Sequence, residues 1–340
     1  MHVVKFLEYI FTSAAPPFLF FRLLSIKLFE RVVRVELLEA LDALIWLRTG
    51  HQVASRFNIN QSSASRNSKK CAQEFLVSLV RRNSEWSVEG DPTLLNLERY
   101  VHQVSRWRDN KPLRLEAQHW SAPLLCTPTP SGWIAGNFNF LEYDRPLQLL
   151  KERIIDAWIA SYPDAINDDD TEFTAIRLSR MPLQMVVMKG HPLLELGNQI
   201  TFDDIAKFPS LPLPSGSFPR VQKVLQEIGL WQNTSVPTEF DWRGSSDIED
   251  LMVGFSTPLT LPLYGDSYKV LPLQVPVVVG DALVVAREWA NSTQVHTLVS
   301  LLRSRLETLA NALSGVEVLY ESHLNESFND PPSISIAGIK

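Results

Sequence analysis

The stretch Gln52-Val-Ala-Ser-Arg-Phe-Asn-Ile-Asn-Gln-Ser-Ser-Ala-Ser-Arg-Asn-Ser-Lys-Lys-Cys-Ala-Gln-Glu-Phe75 decides the fold of the first part of the chain. Val53, Ala54 and Phe57 make a short apolar stripe, and Ile59 sits in a turn where an apolar plug fixes the angle between two helices. From Asn60, an N-cap residue type, Ala64, Ser68, Cys71, Ala72 and Phe75 recur at helical spacing. The opposite side of this second helix carries Ser62, Ser63, Arg66, Lys69, Lys70 and Gln73. The pattern predicts two helices at a fixed turn, the second with a polar, basic face turned outward.

Charge supports a duplex as the partner, because a protein that binds a dense line of phosphates must place cations along it. From Arg48 to Arg82 the chain has seven cations (Arg48, Arg56, Arg66, Lys69, Lys70, Arg81 and Arg82) against the single acid Glu74, a balance of +6 in a chain whose total is -6. The rest of the chain therefore carries -12. An ordinary solvated face is the alternative reading of such a block.

Asn60-Gln61-Ser62-Ser63-Ala64-Ser65-Arg66 resembles the Ser-Gln-x-x-x-Ser-Arg pattern of the recognition helix in LysR-type transcriptional regulators. Gln61, Ser65 and Arg66 match, Asn60 replaces the usual serine, and Ser62 stands where the family usually has proline. The resemblance implies an N-terminal winged helix-turn-helix, a linker helix and a two-lobed α/β effector-binding domain of the periplasmic-binding-protein type. It implies DNA contacts from Gln61, Ser62, Ser63, Ser65, Arg66, Lys69 and Lys70. Gln61 has the amide geometry to read adenine, and Arg66 the fork to grip phosphate or guanine.

Working outward, Leu37, Leu38, Leu41, Leu44 and Ile45 form a supporting helix with Glu36, Glu39 and Asp42 on its other side, closed near Gly50. After Phe75, Val77-Ser-Leu-Val80 and Glu85-Trp-Ser-Val88 flank Arg81-Arg-Asn-Ser84, the pattern of a two-stranded wing with a basic tip. Arg81 and Arg82 are candidate phosphate or minor-groove contacts. The family's usual Thr-x-x-Gly after the wing is replaced by Gly90-Asp-Pro-Thr93. From Pro92 to Arg108, Leu94, Leu97, Val101 and Val104 follow a 3-4-3 spacing, a seam for pairing with a second copy. A paired seam presents two recognition helices about one DNA turn or a multiple apart, so an inverted-repeat site is expected.

Beyond Pro112, short apolar runs alternate with helical stretches, as in an α/β sandwich with a largely parallel sheet. Leu113–Ala117 reads as a first strand, Tyr143–Glu152 as a helix, Ile154–Ile159 as a buried strand and Ala290–Gly315 as a cover helix. Ile154-Ile-Asp-Ala-Trp-Ile159, Leu183–Pro192, Thr201–Pro209, Leu211–Ser217 and Ser245-Ser-Asp247 are similar to successive steps of the family's effector domain. The division expected is an extension over 1–33, a winged helix over 34–91 and a linker helix over 92–111. Lobe I then takes 112–180 and 289–315, lobe II 181–288, and a polar tail 316–340. The loops facing an effector cleft would be Gln118, His119 and Ser121; Ser161; Ser215, Gly216 and Ser217; and Ser245 with Ser246. Each of these serines is equally an ordinary helix cap.

Two cysteines give neither a disulfide framework nor metal-ligand spacing. Residues 1–30 lack an unbroken apolar run of ~20 residues, and a mis-assigned or appended start is preferred to a targeting signal. No His-Glu-x-x-His, Gly-x-Ser-x-Gly or P-loop pattern occurs, so no catalytic role and no cofactor or metal is expected. The expectation is a cytoplasmic, DNA-binding homodimer or homotetramer controlled by a small-molecule effector, away from membranes. The alternative is a two-lobed solute-binding protein or enzyme whose N-terminal domain does not bind DNA.

Overall fold

The computed structural model describes residues 35–140, 144–167, 170–210, 216–230 and 251–320. Helix α1 (Val35–Leu47) precedes α2 (Gly50–Phe57) and α3 (Gln61–Glu74), and a hairpin of β1 (Ser78–Arg82) and β2 (Glu85–Glu89) completes a winged helix-turn-helix. The turn residues Asn83 and Ser84 have φ of 47° and 65°, the double left-handed geometry that matches the twist of a two-residue hairpin. Thr49 caps α2 by accepting from the Gln52 amide at 3.2 Å, and Asn58 ends it in the left-handed region. Ser68, buried in the middle of α3, donates to the Ala40 carbonyl at 2.9 Å and so ties α3 to α1.

Helix α1 departs from the expected amphipathic pattern. Every residue from Leu37 to Leu47 except Glu39 is buried, Asp42 included. A helix covered on all sides needs neighbours on all sides, and α1 has them. The rest of the winged helix covers one flank, while the α/β domain and α4 (Thr93–Arg108) cover the other. Asp42 is inside because Arg99 of α4 reaches it, Nε to Oδ1 at 2.8 Å, with the Arg114 guanidinium at 3.7 Å.

Helix α4 is inside out by ordinary standards. Its inward face is polar (Arg99, Gln103, Arg106) around Leu95 and Trp107, while Leu94, Leu97, Tyr100 and Val101 are exposed. The inward cations are accommodated by carboxylates already there. Arg99 meets Asp42 and Glu152, and Arg106 makes a two-pronged pair with Asp156 at 2.9 and 2.8 Å.

The α/β domain opens with β3 (Leu113–Ala117), α5 (Ala122–Leu125), β4 (Trp133–Ala135), α6 (Asp144–Lys151), β5 (Ala157–Tyr162), β6 (Phe173–Arg177) and β7 (Ser179–Pro182). Lobe II contains β8 (Gln184–Met188), α7 (Phe202–Ile205), α8 (Pro219–Glu227), β9 (Gly254–Ser256) and β10 (Tyr268–Val270). The chain returns through β11 (Val278–Ala286), α9 (Thr293–Ala310) and β12 (Glu317–Val318). Among the described residues the larger sheet runs β12-β7-β11-β5-β3-β4 with β6 also on β11, and the smaller runs β10-β8-β9. Of the named strand pairs only β3 with β4 and β3 with β5 are parallel, a correction to the largely parallel sheet expected. The long return strand β11 pairs antiparallel with β5, β6 and β7 and sets the sheet's character. It belongs to the larger sheet, so the chain leaves lobe II before Val278 rather than at 288. Gly280 makes this crossing possible, since a Cβ there would fall 2.0 Å from the Ser179 carbonyl oxygen.

The buried strand begins at Ala157 rather than Ile154. Asp156 still donates its backbone amide to the Arg114 carbonyl of β3 at 2.9 Å, while its side chain accepts from Arg106 and from the Arg114 amide at 2.9 Å, so the residue just before β5 anchors the strand's start. Helices α6 and α9 lie within the expected spans, and Ser292 caps α9 by accepting from the Val295 amide. The expected extension over 1–33, the strand after Leu211 and residues 321–340 of the tail lie outside the described residues.

Candidate nucleic-acid interface and effector cleft

The burial of α3 divides it along its length. Ala64, Ser68, Cys71 and Ala72 are inside, while Gln61, Ser62, Ser65, Arg66, Lys69, Lys70 and Gln73 are exposed and Ser63 is half-buried. Arg66, Lys69 and Lys70 stand at i, i+3 and i+4 and so share one side of the helix. The Arg66 guanidinium lies 3.4 Å from Ser63 Oγ. Asn60 occupies the N-cap position without a side-chain cap bond, which leaves the first amides of α3 without that partner. Gly50 admits the stem of Gln61, because a Cβ on Gly50 would fall 3.0 Å from Gln61 Cγ.

Not all of the basic block faces the same way. Arg48 pairs with Glu85 and stacks at 4.0 Å over the Phe140 ring, and Arg56 donates to the Gly136 carbonyl at 3.1 Å. These two cations hold the winged helix to the α/β domain, so the outward ridge is carried by Arg66, Lys69 and Lys70 with the wing. In the wing, Arg81 and Arg82 are exposed. Arg82 pairs with Glu89 on the facing strand, and Arg81 lies 5.6 Å above the Trp86 ring. Arg82 therefore presents less free charge than a bare count suggests.

The residues expected to face an effector, where the structure describes them, lie at the carboxyl ends of β3 and β5 in lobe I and just before α8 in lobe II. Gln118 is buried, with its amide bonded to the Ile159 carbonyl, and Ser121 is buried beside it. His119 Nδ1 is 3.2 Å from the Phe138 carbonyl oxygen. Trp120 donates its indole N–H to Ser161 Oγ at 3.3 Å and packs at 5.1 Å against Phe218 of lobe II. Gly216 takes a left-handed φ of 79° and Ser217 is buried. The structure thus brings Ser161 under Trp120, while Ser215, Ser245 and Ser246 lie outside the described residues.

Three further carboxylates shape this region. Asp164 from lobe I accepts from the Arg220 amide at 2.6 Å and the Val221 amide at 3.4 Å, so a carboxylate of the chain itself caps α8. Arg220 answers by donating to the carbonyls of Pro163 and Ile166. Burial pushes the Asp164 carboxyl up to about 6 against the pull of these donors. Glu116, at the end of β3, is fully buried and accepts from Trp46 Nε1 at 2.6 Å and from the Phe138 amide at 3.0 Å. Desolvation outweighs those donors and raises it to about 7. Asp281, bonded to Ser179 Oγ at 2.9 Å, is likewise raised by burial to about 6.

Among the described residues no group of His, Cys, Asp or Glu is placed to hold a metal ion, and no helix is long and apolar enough to cross a membrane. Both cysteines are buried, and burial raises each thiol to about 12, which keeps them protonated and unreactive.

Residues 137–236 match the family described as the LysR substrate binding domain. No curated protein matches the chain. Among solved structures it is similar to the probable transcriptional regulator PA0477 from Pseudomonas aeruginosa, at 14% identity and TM-score 0.50, over 82% of this chain and 98% of that one. It is also similar to a full-length single-residue variant of OxyR from Pseudomonas aeruginosa (16%, TM-score 0.48, 83% and 98%) and to full-length BenM (15%, TM-score 0.45, 81% and 97%). The likeness to PA0477 shows a shared fold, a winged helix-turn-helix followed by a two-lobed α/β domain.

Proposed function

We propose that this chain, which carries a LysR substrate-binding domain at residues 137–236 behind a winged helix-turn-helix, is a cytoplasmic DNA-binding transcriptional regulator controlled by a small molecule. The observation that carries the reading is the exposed ridge of Gln61, Ser62, Ser65, Arg66, Lys69 and Lys70 on a helix whose other side is buried. A helix of this kind fits the major groove. Its polar side chains meet base edges, and its cations meet phosphates. Ser63 stands at the edge of the ridge, and Arg81 and Arg82 extend it to the flanking backbone.

The exposed stripe Leu94, Leu97 and Val101, continued by Val104, would pair with a second copy and set two ridges on an inverted repeat. The effector would sit between the lobes at Gln118, His119, Ser121, Ser161, Gly216 and Ser217, and Trp120 would have to leave Phe218 to admit it. Nothing in this reading assigns a chemical step to the chain. Fluorescence anisotropy with labelled duplex across a salt series tests it. Arg66→Ala with Lys69→Ala is expected to weaken binding and to reduce the slope of log affinity against log salt by about 2. An unchanged slope and affinity at every salt concentration contradicts it.

A further inference from the structure

We propose that lobe I holds the winged helix in a fixed seat, and that Glu116 is the positioning residue through which the cleft and the recognition helix sense each other. The seat is apolar and continuous. Leu41, Leu44, Ile45 and Trp46 of α1 belong to the same buried cluster as Ile154, Ile155 and Trp158 of lobe I. Its polar contacts are specific as well as many. Asn137 donates to the Leu47 carbonyl at 3.0 Å, Arg56 to the Gly136 carbonyl at 3.1 Å, and Arg145 to the Trp86 carbonyl in the wing at 2.6 Å.

Glu116 touches the winged helix and the strand beside the cleft loop at once. Its Oε2 accepts from Trp46 on α1, and its Oε1 accepts from the amides of Phe138 and Ala117. The carbonyl of the same Phe138 is gripped by His119, two residues beyond Ala117 in the cleft loop. Phe138 itself is held at φ 56°, a left-handed conformation that a bulky residue keeps only where its surroundings enforce it. His119, Phe138, Glu116 and Trp46 thus form an unbroken path from the cleft to the helix behind the recognition helix. Gly136 leaves room for it, since a Cβ there would fall 2.1 Å from Glu116 Oε2. Moving His119 releases the Phe138 carbonyl, the strained residue relaxes, and the acceptor that holds Trp46 shifts. The recognition ridge faces away from the seat, so the seat sets its position without covering it.

The regulatory meaning of this path rests on the DNA-binding reading; the seat does not. The test therefore uses the full chain with neither DNA nor effector. Hydrogen–deuterium exchange is followed in wild type, Trp46→Phe, Glu116→Gln and His119→Ala. Trp46→Phe, which keeps an aromatic ring and removes the donor, is expected to speed exchange in α1 roughly tenfold and also to speed it in the loop at 118–121. His119→Ala is expected to speed exchange in α1, with β5 and β11 unchanged. Glu116→Gln is expected to add little to Trp46→Phe in the double variant, as members of one path do. Unaltered α1 exchange in Trp46→Phe and His119→Ala overturns the proposal. So does uniform acceleration across the whole chain in every variant, which would mark Glu116 as a packing residue only. Failure to bind DNA would overturn the proposed function and leave the seat standing.

Discussion

Buried carboxylates set the behaviour of single residues here. Glu116 goes from an ordinary 4.5 to about 7, and Asp164 and Asp281 go from 3.8 to about 6, all through burial. Between the ordinary and the raised values the folded chain keeps protons that the unfolded chain has released. Stability is then greatest below the ordinary values and is lost as pH rises through the raised ones. The melting temperature is expected to fall as pH is taken from about 4.5 to about 7, and Glu116→Gln is expected to flatten that fall. Identical slopes in the two proteins would contradict the assignment. None of the three acids stands out in the sequence as part of the cleft. Glu116 lies in Leu-Arg-Leu-Glu-Ala, whose alternation reads as a half-exposed strand with Arg114 and Glu116 in solvent, whereas all five residues are buried. The ridge residues are legible because helical spacing alone sorts the buried Ala64, Ser68, Cys71 and Ala72 from their exposed neighbours.

Helix α4 carries the most informative disagreement between pattern and structure. The spacing of Leu94, Leu97, Val101 and Val104 marks an apolar face, and Leu94, Leu97 and Val101 stand exposed. The sequence could not say that the opposite, charged face would be buried. That depends on Asp42, Glu152 and Asp156 arriving from distant parts of the chain. Two predictions separate the faces. Leu97→Lys should abolish self-association in sedimentation runs while leaving the melting temperature within a few degrees, because an exposed position contributes little to the monomer. A still-associated variant would remove the seam from the account. Arg99→Ala should cost about 3 kcal/mol or more in denaturant unfolding, since it strands the buried Asp42 carboxylate with Arg114 at 3.7 Å as its remaining cation. A loss under about 1 kcal/mol would mean that Arg114 suffices.

At the scale of the whole molecule, the winged helix is joined to lobe I by a shared core instead of standing apart on a linker. The order of elements is legible because each is local. The seat is not, because α1 looks like a common amphipathic helix until Asp42 and Trp46 find Arg99 and Glu116, 57 and 70 residues away. Arg48 and Arg56 show the same limit, since a count of cations cannot tell a phosphate contact from an anchor on Phe140 or Gly136. With the seat and the exposed stripe together, a dimer would carry two ridges at one fixed separation. Selection of the full chain against a pool of random duplexes measures this directly. Enrichment of inverted repeats whose half-sites are spaced by about one helical turn or a multiple of it is the result expected. Recovery of duplexes with no shared sequence, or of none above background, would contradict it.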